Sequence, residues 1–114
     1  GVFYNVSKTR IAQIADGTSN TVFMSEIINT KGDDMRGIRH YPEGPIYEHN
    51  NTPNSGTDQL RSGYCVSETA APCTASYTAY NNRQIVITAR SRHTGGVNIL
   101  MGDGGVRFAP NTIT

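Results

Sequence analysis

Hydrophobic and polar residues alternate most regularly near the C-terminal end of the chain. The residues Val97, Ile99 and Met101 alternate with Asn98, Leu100 and Gly102. This period of two is typical of a β-strand with two unlike faces. The run Asp103-Gly104-Gly105 then supplies the residues with positive φ that a tight type I′ turn needs, and residues 106–108 return. The pattern therefore predicts a C-terminal β-hairpin.

Further apolar runs predict strands and one short helix in the rest of the chain. Residues 21–29 are nearly continuously apolar, which favours a central strand and leaves a helix as the alternative. Residues 84–90 are rich in β-branched side chains and predict a strand leading into the hairpin. Ser7 is placed to cap a single helical turn over residues 8–14. Shorter strands are expected at residues 1–6, 37–41 and 45–47.

Long stretches without regular patterning separate these elements. Residues 31–57 are dense in Gly, Pro, Asn and Asp, and residues 58–82 continue irregularly around the two cysteines. Loops of this length are unusual inside a domain and tend to be functional. The predicted fold class is α+β and mostly β: an antiparallel sheet with a C-terminal β-hairpin, one short N-terminal helix and long irregular loops. A single globular domain over residues 1–114 is expected.

The charge and hydropathy of the chain argue against two classes of partner. The 114 residues carry a formal net charge of +1, with acids and bases mixed along the sequence. Nucleic-acid binding needs a clustered basic face, so no nucleic acid is expected as a partner. No apolar run reaches the roughly 18–20 residues of a membrane span, so no membrane contact is expected.

The two cysteines, Cys65 and Cys73, lie close together in the sequence. Their spacing favours a local disulfide that closes a surface loop and implies an oxidising compartment. Two free thiols are the alternative. A zinc site is disfavoured, because the spacing is wider than that of a zinc knuckle and no His lies near either cysteine.

Oxygen-bearing side chains beside glycine turns are candidates for an ion site. Asp16, Asn20 and Asp103 offer the carboxylate and amide oxygens that calcium prefers. The alternative is that each belongs to an ordinary hydrogen-bonded turn. Asp33 and Asp34 form another acidic turn, which we expect to be solvated.

His93 precedes a glycine bend at the entry to the hairpin. Such a histidine is expected to donate to a nearby backbone carbonyl and hold the loop, with metal ligation or acid–base chemistry as alternatives. Asp103 lies at the far end of the same strand, roughly 33 Å away at about 3.3 Å per residue, so the two cannot form a dyad. Arg90 and Arg92 would share a strand face, from which they could bind Glu26.

These residues do not form a recognisable catalytic motif in the sequence, and we assign no catalytic residues. If the chain is a hydrolase, its candidate residues are Glu26, Asp103 and His93. Glu26 with Asp103 or with Asp58 would form the carboxylate pair that glycoside hydrolysis requires. No nucleophile elbow, zinc-protease helix or phosphate loop is present in the sequence.

Tyrosines concentrate in the irregular part of the chain and favour a different function. Aromatic rings beside Asn and Asp suit stacking on, and hydrogen bonding to, a polysaccharide. The candidates are Tyr41, Tyr47, Tyr64, Tyr77 and Tyr80.

Two sequence blocks resemble a known family. The first is His93 followed, after nine residues, by Asp103-Gly104; the second is the run at residues 16–21 followed by Glu26. Arg36-Gly37 and the region from Pro53-Asn54 through Asp58 to Cys65 match more loosely. The chain resembles a large group of prepilin-like proteins of unknown function that is abundant in planctomycete bacteria. The positions of the first block expected to be structural are His93, Gly95, Gly96, Asn98, Asp103 and Gly104.

The resemblance implies a pilin-like globular domain, the C-terminal part of a longer exported protein. The function it favours is that of an extracytoplasmic, pseudopilin-like structural or surface-display domain. It would act by self-association at the cell surface or outside the cell, with calcium as a candidate stabilising ion and residues 1–6 as an edge for assembly. The alternative is a carbohydrate-binding module or a small glycoside hydrolase.

Overall fold

The computed structural model of the chain describes residues 2–4, 6–79 and 84–113. Within these ranges, one 3₁₀ turn, Ile11–Gln13, precedes five strands. They are β1 (Val22–Ser25), β2 (Asp58–Arg61), β3 (Cys73–Tyr77), β4 (Gly96–Met101) and β5 (Val106–Pro110). An antiparallel sheet has the order β1-β4-β5, and β2 and β3 form a separate parallel pair. The mostly β fold class predicted from the sequence is confirmed, although its helix is reduced to this 3₁₀ turn.

The C-terminal hairpin is formed by β4 and β5, as the alternation predicts. Its turn differs from the expected type I′, because Gly104 has positive φ (86°) and Asp103 does not. Gly104 N donates to Met101 O at 3.0 Å, and Met101 N donates to Gly105 O at 2.8 Å. This is the pattern of a type I turn followed by a left-handed glycine in a bulge. Asp103 Oδ1 accepts a bond from Gly105 N at 2.9 Å, and this local side-chain bond stabilises the turn.

The antiparallel sheet has one buried and one uncovered face. Alternate β4 residues point into the core, where Val97, Ile99 and Met101 pack with Ala89 and Ala109. The register aligns Met24 with Leu100, Leu100 with Val106, and Asn98 with Phe108, which places these residues on the opposite face. Met24, Val106 and Phe108 are 57%, 68% and 52% exposed there. We call Met24, Leu100, Val106 and Phe108 the outer sheet face.

The strand predicted at residues 84–90 is wrong. Val86 makes an isolated bridge with Gln59, and the segment is otherwise outside any ladder. Its backbone groups bond to partners scattered through the chain, so within the described residues no neighbouring strand runs alongside it for more than one residue. The described partners are the backbone of Glu26, Glu48, Asn54 and Gln59 and the side chains of Asp58 and Ser76.

Other strand predictions also change. The strand expected at residues 21–29 covers only Val22–Ser25, with a register shift between Val22 and Met24, and the helical alternative is wrong. Residues 2–4, 6, 37–41 and 45–47 are in turns or irregular backbone rather than strands. Gly1 and Asn5, which belong to the first predicted strand, lie outside the described residues.

The parallel pair lies where only irregular structure was expected. β2 and β3 flank a loop that the Cys65–Cys73 disulfide closes, so the predicted disulfide is confirmed. Leu60 of β2 and Cys73 of β3 pack with Met35 and Ile87 in a second apolar cluster.

Candidate functional site

Three side chains from distant parts of the sequence meet at the border of the outer sheet face. Glu26 Oε1 lies 3.1 Å from His93 Nε2 and accepts a bond from Asn98 Nδ2 at 3.3 Å. Glu26 Oε2 accepts a bond from Asn98 N at 2.7 Å. Both carboxylate oxygens are therefore occupied. The ring of His93 contacts this carboxylate, and not the backbone carbonyl that we expected.

A tight bend brings His93 back onto β4. Ser91 Oγ accepts a bond from His93 N at 3.0 Å and donates to Gly96 O at 2.6 Å. Gly95 has a φ of 85°, which favours glycine. A Cβ on Gly96 would collide with Ala109 O and lie 2.7 Å from the Phe108 ring. These contacts explain why two glycines follow His93 in the C-terminal block.

The electrostatics of this cluster favour an ionised Glu26. Partial burial acts to raise the pKa of Glu26, but the bonds from Asn98 and His93 lower it below its ordinary value of 4.5. The adjoining shallow cleft is lined by residues 26–29 and 90–93. Among its described lining residues Glu26 is the one carboxylate, and its oxygens already hold three groups. The arrangement links the end of β1, the 91–96 bend and β4.

A cluster of charged residues occupies the interior, and we call Asp34, Arg36, Asp58 and Arg90 the buried ion network. Each of these four side chains is at most 3% exposed. Arg36 Nε and Nη2 bond to the two oxygens of Asp34 at 3.0 and 2.9 Å, and Arg36 Nη1 donates to Asp58 Oδ2 at 2.9 Å. Arg90 Nη2 donates to Asp58 Oδ1 at 3.1 Å. Asp58 is thus shared by two guanidinium groups.

Backbone groups satisfy the remaining donors and acceptors of Arg36 and Asp34. Arg36 Nη1 donates to Ala71 O at 2.9 Å and Nη2 to Val66 O at 3.0 Å, so its five N–H donors all have acceptors. Val66 N donates to Asp34 Oδ2 at 2.7 Å. The disulfide-closed loop between Cys65 and Cys73 supplies these groups and forms a cradle around the ion pair.

The buried ion network corrects three expectations. Asp34 is buried rather than part of a solvated turn. Arg90 bonds to Asp58 through its side chain, and its contact with Glu26 is a backbone bond to Glu26 O at 3.0 Å. Asp58, which is fully buried and bound by two arginines, cannot pair with Glu26 as a hydrolytic carboxylate. Arg92 lies 3.8 Å from Glu68 at the surface.

The predicted calcium residues lie on two turns that do meet. Asp103 N donates to Thr18 O at 3.2 Å, so the hairpin turn rests on the turn containing Asp16 and Asn20. Asn20 Nδ2 donates to Asp16 O at 3.0 Å. Within the described part of the chain, no three His, Cys, Asp or Glu side chains are grouped as a metal site. Calcium binding stays a prediction. Asp103 is separated from Glu26 and His93 by the length of β4.

The candidate tyrosines that the structure describes do not form one exposed platform. Tyr77 is buried and its hydroxyl donates to Glu43 Oε1 at 2.9 Å. Tyr47 is half-buried, and burial raises its pKa. Tyr41 and Tyr64 stack with ring centroids 5.8 Å apart, and the Arg61 guanidinium lies 4.5 Å from the Tyr64 ring centroid. Tyr80 lies outside the described residues.

Asn54 is a structural residue to which the sequence analysis gave no role beyond its place in the loosely matching region of residues 53–65. It has positive φ (56°), a conformation that Asn tolerates better than most residues. Its backbone N–H donates to Ala89 O, its Oδ1 accepts from Ser91 N, and its Nδ2 donates to Gly96 O. It therefore ties the segment before the bend to β4. The Pro-Asn-Ser-Gly run was a usable turn signal, but it does not reveal these distant partners.

Comparison with known proteins shows the family to which the chain belongs. The whole chain, residues 1–114, matches a family model described as "Protein of unknown function (DUF1559)". The chain belongs to this DUF1559 family. No curated protein and no solved structure matches it. Among the described residues of this DUF1559 chain, no helix is long and apolar enough to cross a membrane.

Acid is expected to destabilise the DUF1559 chain through two carboxylates. Burial acts to raise the pKa of Asp34, but bonds from Arg36 and from Val66 N lower it below its ordinary value of 3.8. Hydrogen bonding likewise lowers the pKa of Glu26 from 4.5. Because both folded-state pKa values are depressed, the stabilisation is present above about pH 4.5 and is lost as the pH falls through the folded values. Urea unfolding at pH 7, 5, 4 and 3 measures it.

The control for this pH dependence is Asp33→Asn, which removes an exposed neighbouring carboxylate. We expect this variant to lose stability in acid as the unmodified chain does, whereas Glu26→Gln loses less. An unfolding midpoint that stays constant from pH 7 to pH 3 contradicts the prediction.

Replacing Glu26 with Gln tests whether the cluster is structural. The glutamine amide has the same shape as the carboxylate, but one of its two oxygens is replaced by an NH₂ group. In one orientation this NH₂ faces the Asn98 backbone N–H, and in the other it faces the His93 ring and the Asn98 side-chain amide. We therefore expect a loss of about 1 kcal/mol in unfolding free energy. A thermal or urea unfolding curve measures this loss. Asn29→Asp, at an exposed position on the same cleft, is the control. If Glu26→Gln abolishes a glycosidase activity of the chain and leaves stability unchanged, a hydrolase replaces the structural interpretation.

Proposed function

We propose that this chain is an extracytoplasmic, pseudopilin-like structural domain that works by self-association with further copies of itself. Two kinds of observation support this proposal: the sequence resemblance to prepilin-like proteins, and the exposed apolar surface of the folded chain. It places the protein at the cell surface or outside the cell.

The outer sheet face is the observation that carries this proposal. Met24, Val106 and Phe108 are each more than half exposed on one face of the sheet, and Leu100 lies between Met24 and Val106. Contiguous apolar patches of this kind commonly mark interaction sites. Arg107 points to the opposite face by its pairing with Ile99, so the charge on β5 does not interrupt the patch.

The disulfide supports an extracytoplasmic location. Cys65–Cys73 closes the loop that cradles Arg36 and Asp34, so oxidation and the packing of the interior are linked. Disulfides form and persist in oxidising compartments and are rare in the cytosol. This is the environment in which a surface structural protein works.

Light scattering across protein concentration tests self-association. We expect the average mass to rise with concentration and the rise to weaken at least tenfold in Val106→Lys, which puts a charge on the outer sheet face. Thr74→Lys, at an exposed position on β3, is the matched control and should assemble as the unmodified chain does. A strict monomer at every concentration overturns the proposal.

The same measurement with calcium and then with a chelator tests the proposed ion. Calcium stabilisation predicts that the chelator reduces assembly or stability, and that Asp16→Asn removes this sensitivity. Indifference to both additions removes calcium from the proposal and leaves self-association standing.

Polysaccharide binding is the second candidate. The stacked pair of Tyr41 and Tyr64 favours it, with Arg61 over both rings at the edge of β2. A sugar stacking on Tyr64 would have to share the ring with Arg61. Binding to a glycan array that Tyr64→Ala abolishes, with assembly unchanged, would support this function over the structural one.

A further inference from the structure

The N-terminal part of the chain carries a second uncovered apolar surface. Four large apolar side chains that lie close together in the sequence are between 63% and 79% exposed: Phe3, Tyr4, Val6 and Ile11. We call residues 2–4 and 6–11 the N-terminal apolar segment. The Phe3 ring meets Phe23 edge-on, with centroids 5.3 Å apart, which places the segment beside β1.

This segment and the outer sheet face differ in shape and in sign of charge. The segment is an irregular chain with Lys8 and Arg10 exposed along it. The outer sheet face holds a shallow depression lined by Met24, Leu100 and Val106, and the partly exposed Glu26 carboxylate stands at its border. A basic, apolar segment is therefore complementary to an apolar face whose border carries the Glu26 carboxylate, whereas two copies of the segment would bring Lys8 and Arg10 against like charges.

We propose that the outer sheet face of one copy binds the N-terminal apolar segment of a second copy, so that copies join head to tail. Phe3, Tyr4, Val6 and Ile11 would cover Met24, Leu100, Val106 and Phe108 of the neighbour. Lys8 or Arg10 would approach Glu26. This inference rests on the proposed self-association and adds which two surfaces meet.

A head-to-tail contact has a consequence for the assembly. Since the two surfaces belong to different parts of one molecule, a joined pair still has one free segment and one free face, at which further copies can add. Such heterologous contacts build rings when the rotation closes and open filaments when it does not. An isologous face-to-face contact would instead stop at a dimer.

Mixing two blocked variants tests the inference. Val106→Lys blocks the face and repels Lys8 and Arg10. Val6→Asp blocks the segment with a residue that tolerates the positive φ of 60° at this position. Each variant alone should remain a monomer at concentrations where the unmodified chain assembles. An equimolar mixture should form a dimer that grows no further, because each pair holds one intact face and one intact segment.

Other outcomes of the mixing experiment overturn the inference in distinguishable ways. If Val6→Asp alone still assembles as far as the unmodified chain, the segment takes no part. If it stops at a dimer, the face binds itself. If the unmodified chain is a strict monomer, the proposed function fails with the inference. Circular dichroism and thermal unfolding of both variants show that each is folded, and Thr74→Asp is the matched control.

Discussion

Replacing Asp58 with Asn is expected to lower the free energy of unfolding by about 3–5 kcal/mol, the usual cost of breaking a buried ion pair from one side. Asp58 Oδ2 accepts from Arg36, while Oδ1 accepts from Arg90 and from Thr88 N. An amide has one acceptor oxygen, so in either orientation its NH₂ group faces another donor. A buried guanidinium also loses its counter-charge.

Urea unfolding at pH 7 measures this loss. Typical domains are stable by about 5–15 kcal/mol, so the variant should unfold at much lower urea or fail to fold. Asp33→Asn is the matched control, because it removes an exposed carboxylate from the same region and should change the unfolding free energy by less than about 0.5 kcal/mol. A change of similar size in Asp58→Asn and Asp33→Asn would show that the buried ion network contributes nothing.

Breaking the disulfide by Cys65→Ser with Cys73→Ser is expected to destabilise the chain by about 2–3 kcal/mol from loop entropy alone. A further loss is expected because the same loop presents Val66 O, Ala71 O and Val66 N to Arg36 and Asp34. Once the loop is open, these groups no longer have fixed positions. The total effect should therefore exceed the entropic value.

A double-mutant cycle separates the two contributions. Arg36→Lys keeps the charge but has no planar fork of five donors, so it cannot use the loop carbonyls in the same way. We expect the disulfide to stabilise the Arg36→Lys background less than the unmodified chain, by at least about 0.5 kcal/mol. Additive effects would show that the loop and the ion network are independent. The double serine variant should itself be insensitive to reductant.

Elements of the candidate site were visible in the sequence as separate parts. Glu26, His93 and Asn98 belonged to the two blocks that carry the family resemblance, but His93 was expected to bond a backbone carbonyl. The Glu26–His93 contact joins residues 67 positions apart, and the Glu26–Asn98 contacts span 72. No local pattern encodes such a pairing. The exposure of the outer sheet face was also unpredicted, since alternation indicates two unlike faces without saying what covers each.

The sequence by itself determined the features that depend on neighbours along the chain. The period of two at β4 and the close spacing of the cysteines act within a few residues, so the predicted hairpin and disulfide were confirmed, whereas the predicted type I′ turn was wrong. Residues 84–90 show the limit of this reasoning: β-branched side chains favour extended backbone, but a strand also requires a partner running alongside. The described partners of this segment are spread between Glu26 and Ser76 instead of following one strand.

Only the tertiary structure decided where the charged residues lie. Asp34, Arg36, Asp58 and Arg90 have the composition of a solvated surface, and single charged residues are rarely buried. They are buried here because the fold brings two aspartates, two arginines and the carbonyls of the disulfide loop to one place. Each desolvated charge is stabilised by groups distant in sequence, and distance in sequence is what local patterns cannot bridge.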